Sequence, residues 1–166
     1  DRLKDHLDSL PTETNVTTAT YGVANVELDV TIKAKPARVW QALIGETSHW
    51  WLKDFYTNPT TKGFIIEPKL GGLAYEDWGD GAGQVWYTVT GLEANKSLAL
   101  LGHLTPAFGG PSTTMLRLSL EASGKHTLLK ISDTIFGNVG DAKMAQTRDG
   151  WKMLFEGGLK AFVEQA

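Results

Sequence analysis

The sequence predicts an α+β domain: a curved antiparallel sheet of about six to seven strands, two short helices after the first strand, and one long C-terminal helix closing over the sheet. Three observations predict it. Val26, Leu28, Val30 and Ile32 alternate with Glu27, Asp29, Thr31 and Lys33, the pattern of a half-buried strand. Short apolar runs between Phe64 and Phe136 are separated by glycine-bearing turns and read as a meander. From Asp141 onward, Met144, Trp151, Leu154, Phe155, Leu159, Phe162 and Val163 recur at helical spacing.

The elements follow in chain order. Leu3, Leu7 and Leu10 fall at helical spacing before Pro11, and the threonine-rich stretch from Pro11 to Gly22 has no period. Residues 1–22 therefore read as an arm or linker, and residues 23–166 as the domain. After the first strand, Pro36 is suited to a first helical turn, and Val39, Trp40, Leu43 and Ile44 continue that helix to Gly45. Glu46 to Phe55 reads as a second short helix carrying Trp50, Trp51 and Phe55. Phe64–Ile66, Leu73–Trp78, Gln84–Leu92, Leu98–Leu104, Met115–Glu121 and Leu128–Phe136 are the expected strands, with turns at Leu70-Gly71-Gly72, Gly79 to Gly83 and Ser123-Gly124-Lys125. Asp141 is the expected N-cap of the long helix. Strands joined by such short turns make an antiparallel sheet, and the last helix is the only element long enough to cover its face.

Composition bounds the function classes. The 166 residues suit one domain with a core of its own, and the 42% apolar and 21% charged content is ordinary for a globular chain. A net charge of −3 gives no electrostatic footing for nucleic acid. No run of about 18 apolar residues exists to span a membrane. The absence of cysteine removes disulfides, thiolate metal sites and cysteine nucleophiles. His6, His49, His103 and His126 have no zinc spacing, so neither a metal nor a cofactor is expected. The glycine-rich run Gly79 to Gly83 lacks the lysine and following helix of a phosphate loop. The chain begins at Asp1 rather than Met; a cytoplasmic location is expected, with export (periplasmic or secreted) as the alternative. The sequons at Asn15 and Asn95 carry little weight.

Five local motifs then point to a family. Residues 32–43, in which Pro36 precedes the Val39-Trp40 pair, form a characteristic strand-to-helix junction; His49-Trp50-Trp51 gives an aromatic pair in the second helix. Pro68 to Gly72, Gly83-Gln84-Val85, and Thr147 to Trp151 with Leu159 to Val163 complete the set. In this order they resemble the helix-grip (START-like, TBP-like) fold of the SRPBCC superfamily, and within it the branch named for the activator of Hsp90 ATPase (AHSA1-like). The resemblance covers about residues 24–165. It implies a cavity for an apolar ligand between sheet and helix, and no particular reaction. The cochaperone that gives the branch its name has a separate N-terminal domain for engaging Hsp90, and the first twenty or so residues here are too few for one.

The function expected on this basis is non-catalytic binding of a small apolar or amphipathic molecule. Trp51, Phe55, Trp78, Trp86, His103, Phe136, Trp151 and Phe155 are the candidate ligand-binding residues, since apolar pockets with a few polar anchors are the usual form of such sites. The same aromatics would serve equally as ordinary core. Glu76, Asp77, His103, Arg117 and Arg148 are the polar candidates; Glu76 and Asp77 are adjacent on a strand, so only one faces inward. An enzyme of cyclase, dehydratase or hydrolase type would use His103 or Glu76 as acid or base. A chaperone-associated module acting with Hsp90 is the third reading, and a homodimer stays open. Gly150, Gly157 and Gly158 in the long helix each cost about 1 kcal/mol relative to alanine, which close packing or cavity room would offset. Gly150 and Gly157, seven apart, are expected on one face with Leu154.

Overall fold

The computed structural model describes residues 21–165; the expected helix before Pro11 and most of the arm lie outside the described residues. Seven strands form one antiparallel sheet: β1 (Gly22–Ile32), β2 (Gly63–Ile66), β3 (Leu73–Gly79), β4 (Ala82–Glu93), β5 (Ser97–Leu104), β6 (Ser112–Ser123) and β7 (His126–Gly137). Their spatial order is β1-β7-β6-β5-β4-β3-β2. Sequential hairpins build most of it, and β1 returns to pair with β7 along its whole length, Gly22 opposite Gly137 and Ile32 opposite Thr127. Gly22, read as the end of the arm, is thus the first residue of the sheet.

Two short helices follow β1. Helix α1 (Pro36–Gly45) starts on Pro36, whose missing N–H costs nothing in a first turn, and buries Val39, Trp40, Ala42 and Leu43. The expected second helix over 46–55 is split. Only α2 (Thr47–Trp50) is α-helical, Trp51 is extended, and Lys53–Phe55 makes a single 3₁₀ turn. The two neighbouring tryptophans explain the break. Trp50 turns under α1, its indole Nε1 donating to the Ala42 carbonyl at 2.8 Å. Trp51 instead stacks on Phe64, ring centroids 3.7 Å apart and nearly parallel. A continuous helix would not carry both rings to those two places.

The C-terminal helix runs as α3 (Asp141–Lys152), a π-wound segment (Met153–Lys160) and α4 (Ala161–Glu164). Gly140, not Asp141, holds the N-cap position, and no side chain caps it. The π winding alters the buried face. Leu154, Phe155, Gly158, Leu159 and Val163 are buried, whereas Gly157 is exposed, so Gly157 does not share the face of Leu154. Each π turn takes an extra residue relative to an α turn and rotates later residues out of the 3.6 phase.

The apolar core lies between the concave face of the sheet and these helices. Val30, Ile32, Leu118, Leu120, Leu129 and Ile131 meet Leu43, Leu154, Phe155 and Leu159, all nearly inaccessible. No described helix is long and apolar enough to cross a membrane.

Candidate functional site

Leu154, Phe155 and Leu159 of the π-wound segment are buried in the core, whereas space remains beneath α3. There a cavity of about 260 Å³ remains between the helix and the sheet. Lys143, Thr147, Gly150 and Trp151 form its helix side, and Trp51, Phe55 and Phe64 close one end. The sheet contributes Glu76, Trp86, Tyr87, Leu104, Thr114, Asp133 and Ile135.

Two local features open this space. Gly150 is the first: a Cβ there would meet only the edge of Phe55, at 3.8 Å, so the missing side chain leaves room rather than relieving a clash. The second is a bulge in β4. Ala74 pairs with Tyr87 but Tyr75 pairs with Val85, leaving Trp86 as the extra residue. Alternation would send Trp86 and Tyr87 to opposite faces; the bulge lets both line the cavity.

The polar groups of the cavity differ in how far they are satisfied. Glu76 is 1% exposed. Its carboxylate accepts from the Thr57 backbone N–H (3.1 Å to each oxygen), the Thr57 and Thr61 hydroxyls (2.9 and 3.1 Å) and the indoles of Trp78 and Trp86 (3.1 and 3.3 Å). That is more than the four lone-pair sites of a carboxylate can ideally serve. Glu76 therefore ties the loop after the 3₁₀ turn to β3 and β4, with little capacity left for another donor.

Asp133 is 2% exposed and has fewer partners. Oδ1 accepts from the Thr114 hydroxyl, and Oδ2 from the Trp151 indole at 2.9 Å. Burial raises its pKa above the ordinary carboxylate value, and the two hydrogen bonds oppose that rise. Burial and then the nearby Asp133 charge push the Tyr87 phenol far up, with Thr114 pulling it back slightly, so it stays protonated at any physiological pH. Lys143 at the rim donates to the Gly109 carbonyl, and partial burial lowers its pKa. No ion pair among the described residues includes Glu76 or Asp133. The buried indole nitrogen of Trp51 has no hydrogen-bond partner.

Of the residues singled out from the sequence, the structure brings Trp51, Phe55, Glu76, Trp86 and Trp151 to the cavity. Trp78 stands beside it and holds Glu76. Phe155 lies deeper in the core, stacked on Trp151 at 5.7 Å. Phe136 is 59% exposed on the outer face of the sheet. His103 is exposed there too, 3.1 Å from the Thr113 hydroxyl. Parity decides both placements: Ile135 and Gly102 are buried, so their neighbours point outward. Asp77 bonds the Gly79 N–H at 2.8 Å within its own hairpin, and Arg117 and Arg148 are exposed. No group of three or more His, Asp or Glu side chains suited to a metal occurs among the described residues.

The sequence reading missed Asp133, Tyr87 and Thr114. A signal for Asp133 was present. Leu129, Ile131, Asp133 and Ile135 occupy alternate positions of β7, so a single carboxylate sits in an otherwise apolar inward row. Thr114 likewise begins the inward row of Leu116, Leu118 and Leu120. Tyr87 had no such signal, because the bulge that turns Trp86 is not visible as a pattern.

No model of a known protein family matches the chain, and no curated protein matches it. Solved structures do. Protein MLL2253 from Mesorhizobium loti is similar with a TM-score of 0.63 and 20% identity, over 86% of this chain and 98% of that one. Ara h 8.0201 aligns with a TM-score of 0.65 and 15% identity, over 87% and 100% of the two chains. The Aha1 dimer from Colwellia psychrerythraea aligns with a TM-score of 0.59 and 22% identity, over 85% and 96%. At such identities the likeness bears on architecture alone: the chain has the helix-grip fold.

Proposed function

We propose that the chain is a non-catalytic binding domain that holds one small, largely apolar molecule between α3 and the sheet. The observation that carries this reading is the cavity itself. Six aromatic rings line it, and Gly150 leaves it room beside a core packed around Leu154, Phe155 and Leu159. A dry apolar cavity of about 150 Å³ can hold benzene, so about 260 Å³ suits a molecule of roughly two fused rings. The exposed edge of Phe108, T-stacked on Trp86 at 4.8 Å, and the Lys143 contact to Gly109 put the loop between β5 and β6 beside the mouth.

The enzyme reading has less support. His103 lies on the opposite face of the sheet, and the oxygens of Glu76 are occupied by five donors. An interaction module of the Hsp90-activator kind, or a homodimer, draws on a different surface. Val23, Met115 and Phe136 are exposed apolar side chains on the outer face of β1, β6 and β7. Recovery of Hsp90, or of a second copy, that is lost on Phe136→Ser would favour that reading.

The binding reading is tested by titrating 2-naphthalenemethanol while following tryptophan fluorescence, with native mass spectrometry for stoichiometry. Saturable 1:1 binding that Gly150→Phe abolishes is expected, since that side chain would fill the cavity. Absence of saturable binding to the wild-type chain would refute it.

A further inference from the structure

Asp133 is the charged group in this cavity whose arrangement is left incomplete, beside the partnerless Trp51 indole. Each of its oxygens takes one hydrogen bond, from Thr114 and from Trp151, and each can accept another. It is almost wholly buried, yet no lysine, arginine or histidine among the described residues pairs with it. Lys143, the basic side chain on the cavity wall, is engaged by the Gly109 carbonyl instead. A buried carboxylate without a counter-charge is costly, and a charge brought by a ligand would relieve it. The surrounding surface suits a cation as well. Trp86, Trp151, Tyr87 and Phe55 line the same space, and aromatic faces attract ammonium groups.

We infer that the ligand of this cavity is an aromatic or alicyclic amine, bound as its ammonium ion with Asp133 as the counter-ion. The inference rests on the binding reading above and adds the chemical class to it. A neutral alcohol of the same shape could donate one hydrogen bond to Asp133 but would leave its charge uncompensated. A carboxylate ligand would meet both Asp133 and Glu76 and be repelled. Three titratable groups line the cavity around Asp133: Tyr87 from β4, Glu76 from β3 and Lys143 from α3. Tyr87 is neutral, Glu76 adds to the attraction for a cation, and Lys143 opposes it from the rim.

A matched series on one ring system tests this at pH 7: 2-naphthylmethylamine, 2-naphthalenemethanol and 2-naphthoate, each titrated into the full chain by fluorescence and calorimetry. The amine is expected to bind at least about tenfold tighter than the alcohol, the scale of a desolvated charge pair with added cation–π contact, and the carboxylate weakest of the three. In Asp133→Asn, with folding checked by circular dichroism, the preference for the amine over the alcohol should fall to within about threefold. The wild-type series decides the matter even if that variant does not fold. Equal or tighter binding of the alcohol would overturn the amine inference while leaving the binding reading intact. An amine preference that survives in a folded Asp133→Asn would also overturn it, by placing the counter-ion elsewhere. If none of the three binds, the binding reading itself fails.

Discussion

The three helix glycines make a graded test of the packing, because each has a different neighbour. A Cβ on residue 158 would sit 2.6 Å from the Trp50 carbonyl oxygen and 3.4 Å from its ring. The oxygen belongs to backbone, so relief requires moving the helix or the segment between α2 and the 3₁₀ turn. Overpacking of this kind costs about 1–3 kcal/mol. A Cβ on residue 157 would meet nothing within 4 Å. Both glycines lie in the π-wound segment, so the intrinsic gain from replacing glycine with alanine, about 1 kcal/mol at most, is common to both and cancels in the comparison. Gly157→Ala is therefore expected to stabilise by about 0.5–1 kcal/mol, and to be more stable than Gly158→Ala by about 1–3 kcal/mol. For a chain of this length each kcal/mol moves the Tm by roughly 2–4 °C. Thermal and urea unfolding of both variants would measure the gap. A Gly158→Ala variant as stable as Gly157→Ala would refute the close approach of helix and Trp50. Gly150→Ala belongs between them: stable, with its new methyl group narrowing the cavity.

Two further outcomes concern the buried carboxylates. Glu76→Gln turns one acceptor oxygen into a donor among the Thr57, Thr61, Trp78 and Trp86 donors, leaving at least one of them unpaired, at about 1–3 kcal/mol each. A loss of about 3 kcal/mol in urea unfolding is expected, and a loss below about 1 would contradict the network. Asp133 gives a pH dependence of defined sign. Its pKa in the folded chain lies above the ordinary 3.8, so the folded state holds the proton more tightly than the unfolded one. The stability this lends is fully present below 3.8 and is lost as pH rises through the raised value. Wild-type stability should therefore fall relative to Asp133→Asn as pH rises above 3.8 and through the raised value, and parallel pH profiles of the two would disprove the shift.

The fold was legible where side-chain periodicity reports burial directly. Val26 to Ile32, Leu116 to Leu120 and Leu129 to Ile135 each bury alternate residues, and the structure places all three as long paired strands. The departures arise where a contact distant in sequence overrides local pattern. Trp50 and Trp51 are drawn to different partners, Ala42 and Phe64, and the helix expected across them breaks. The π winding brings Gly158 against Trp50 and turns Gly157 outward, an outcome no 3.6-residue period could anticipate. At the site, ring size was a poor guide. Phe136 and His103 were candidates by residue type, although the parity of their own strands already pointed them away from the cavity.

Parity also separates the two inward carboxylates from the aromatics around them. Aromatic rings are what any core of this fold would use, so Trp51, Trp86 and Trp151 alone do not distinguish a binding site from good packing. A carboxylate in an inward row is different, because burial penalises it unless something compensates. At Glu76 the compensation is internal: five donors from the loop, β3 and β4 converge on it, and the result is a fixed corner of the cavity. At Asp133 it is partial, two donors and no cation, although Leu129, Ile131 and Ile135 beside it show that an apolar residue would suit the same row. Replacing buried ionic groups by apolar ones is often neutral or stabilising, so stability alone gives little reason for an aspartate at this position. The contrast between a fully and a partly compensated carboxylate in one cavity is what the proposed chemical preference of the site beneath α3 rests on.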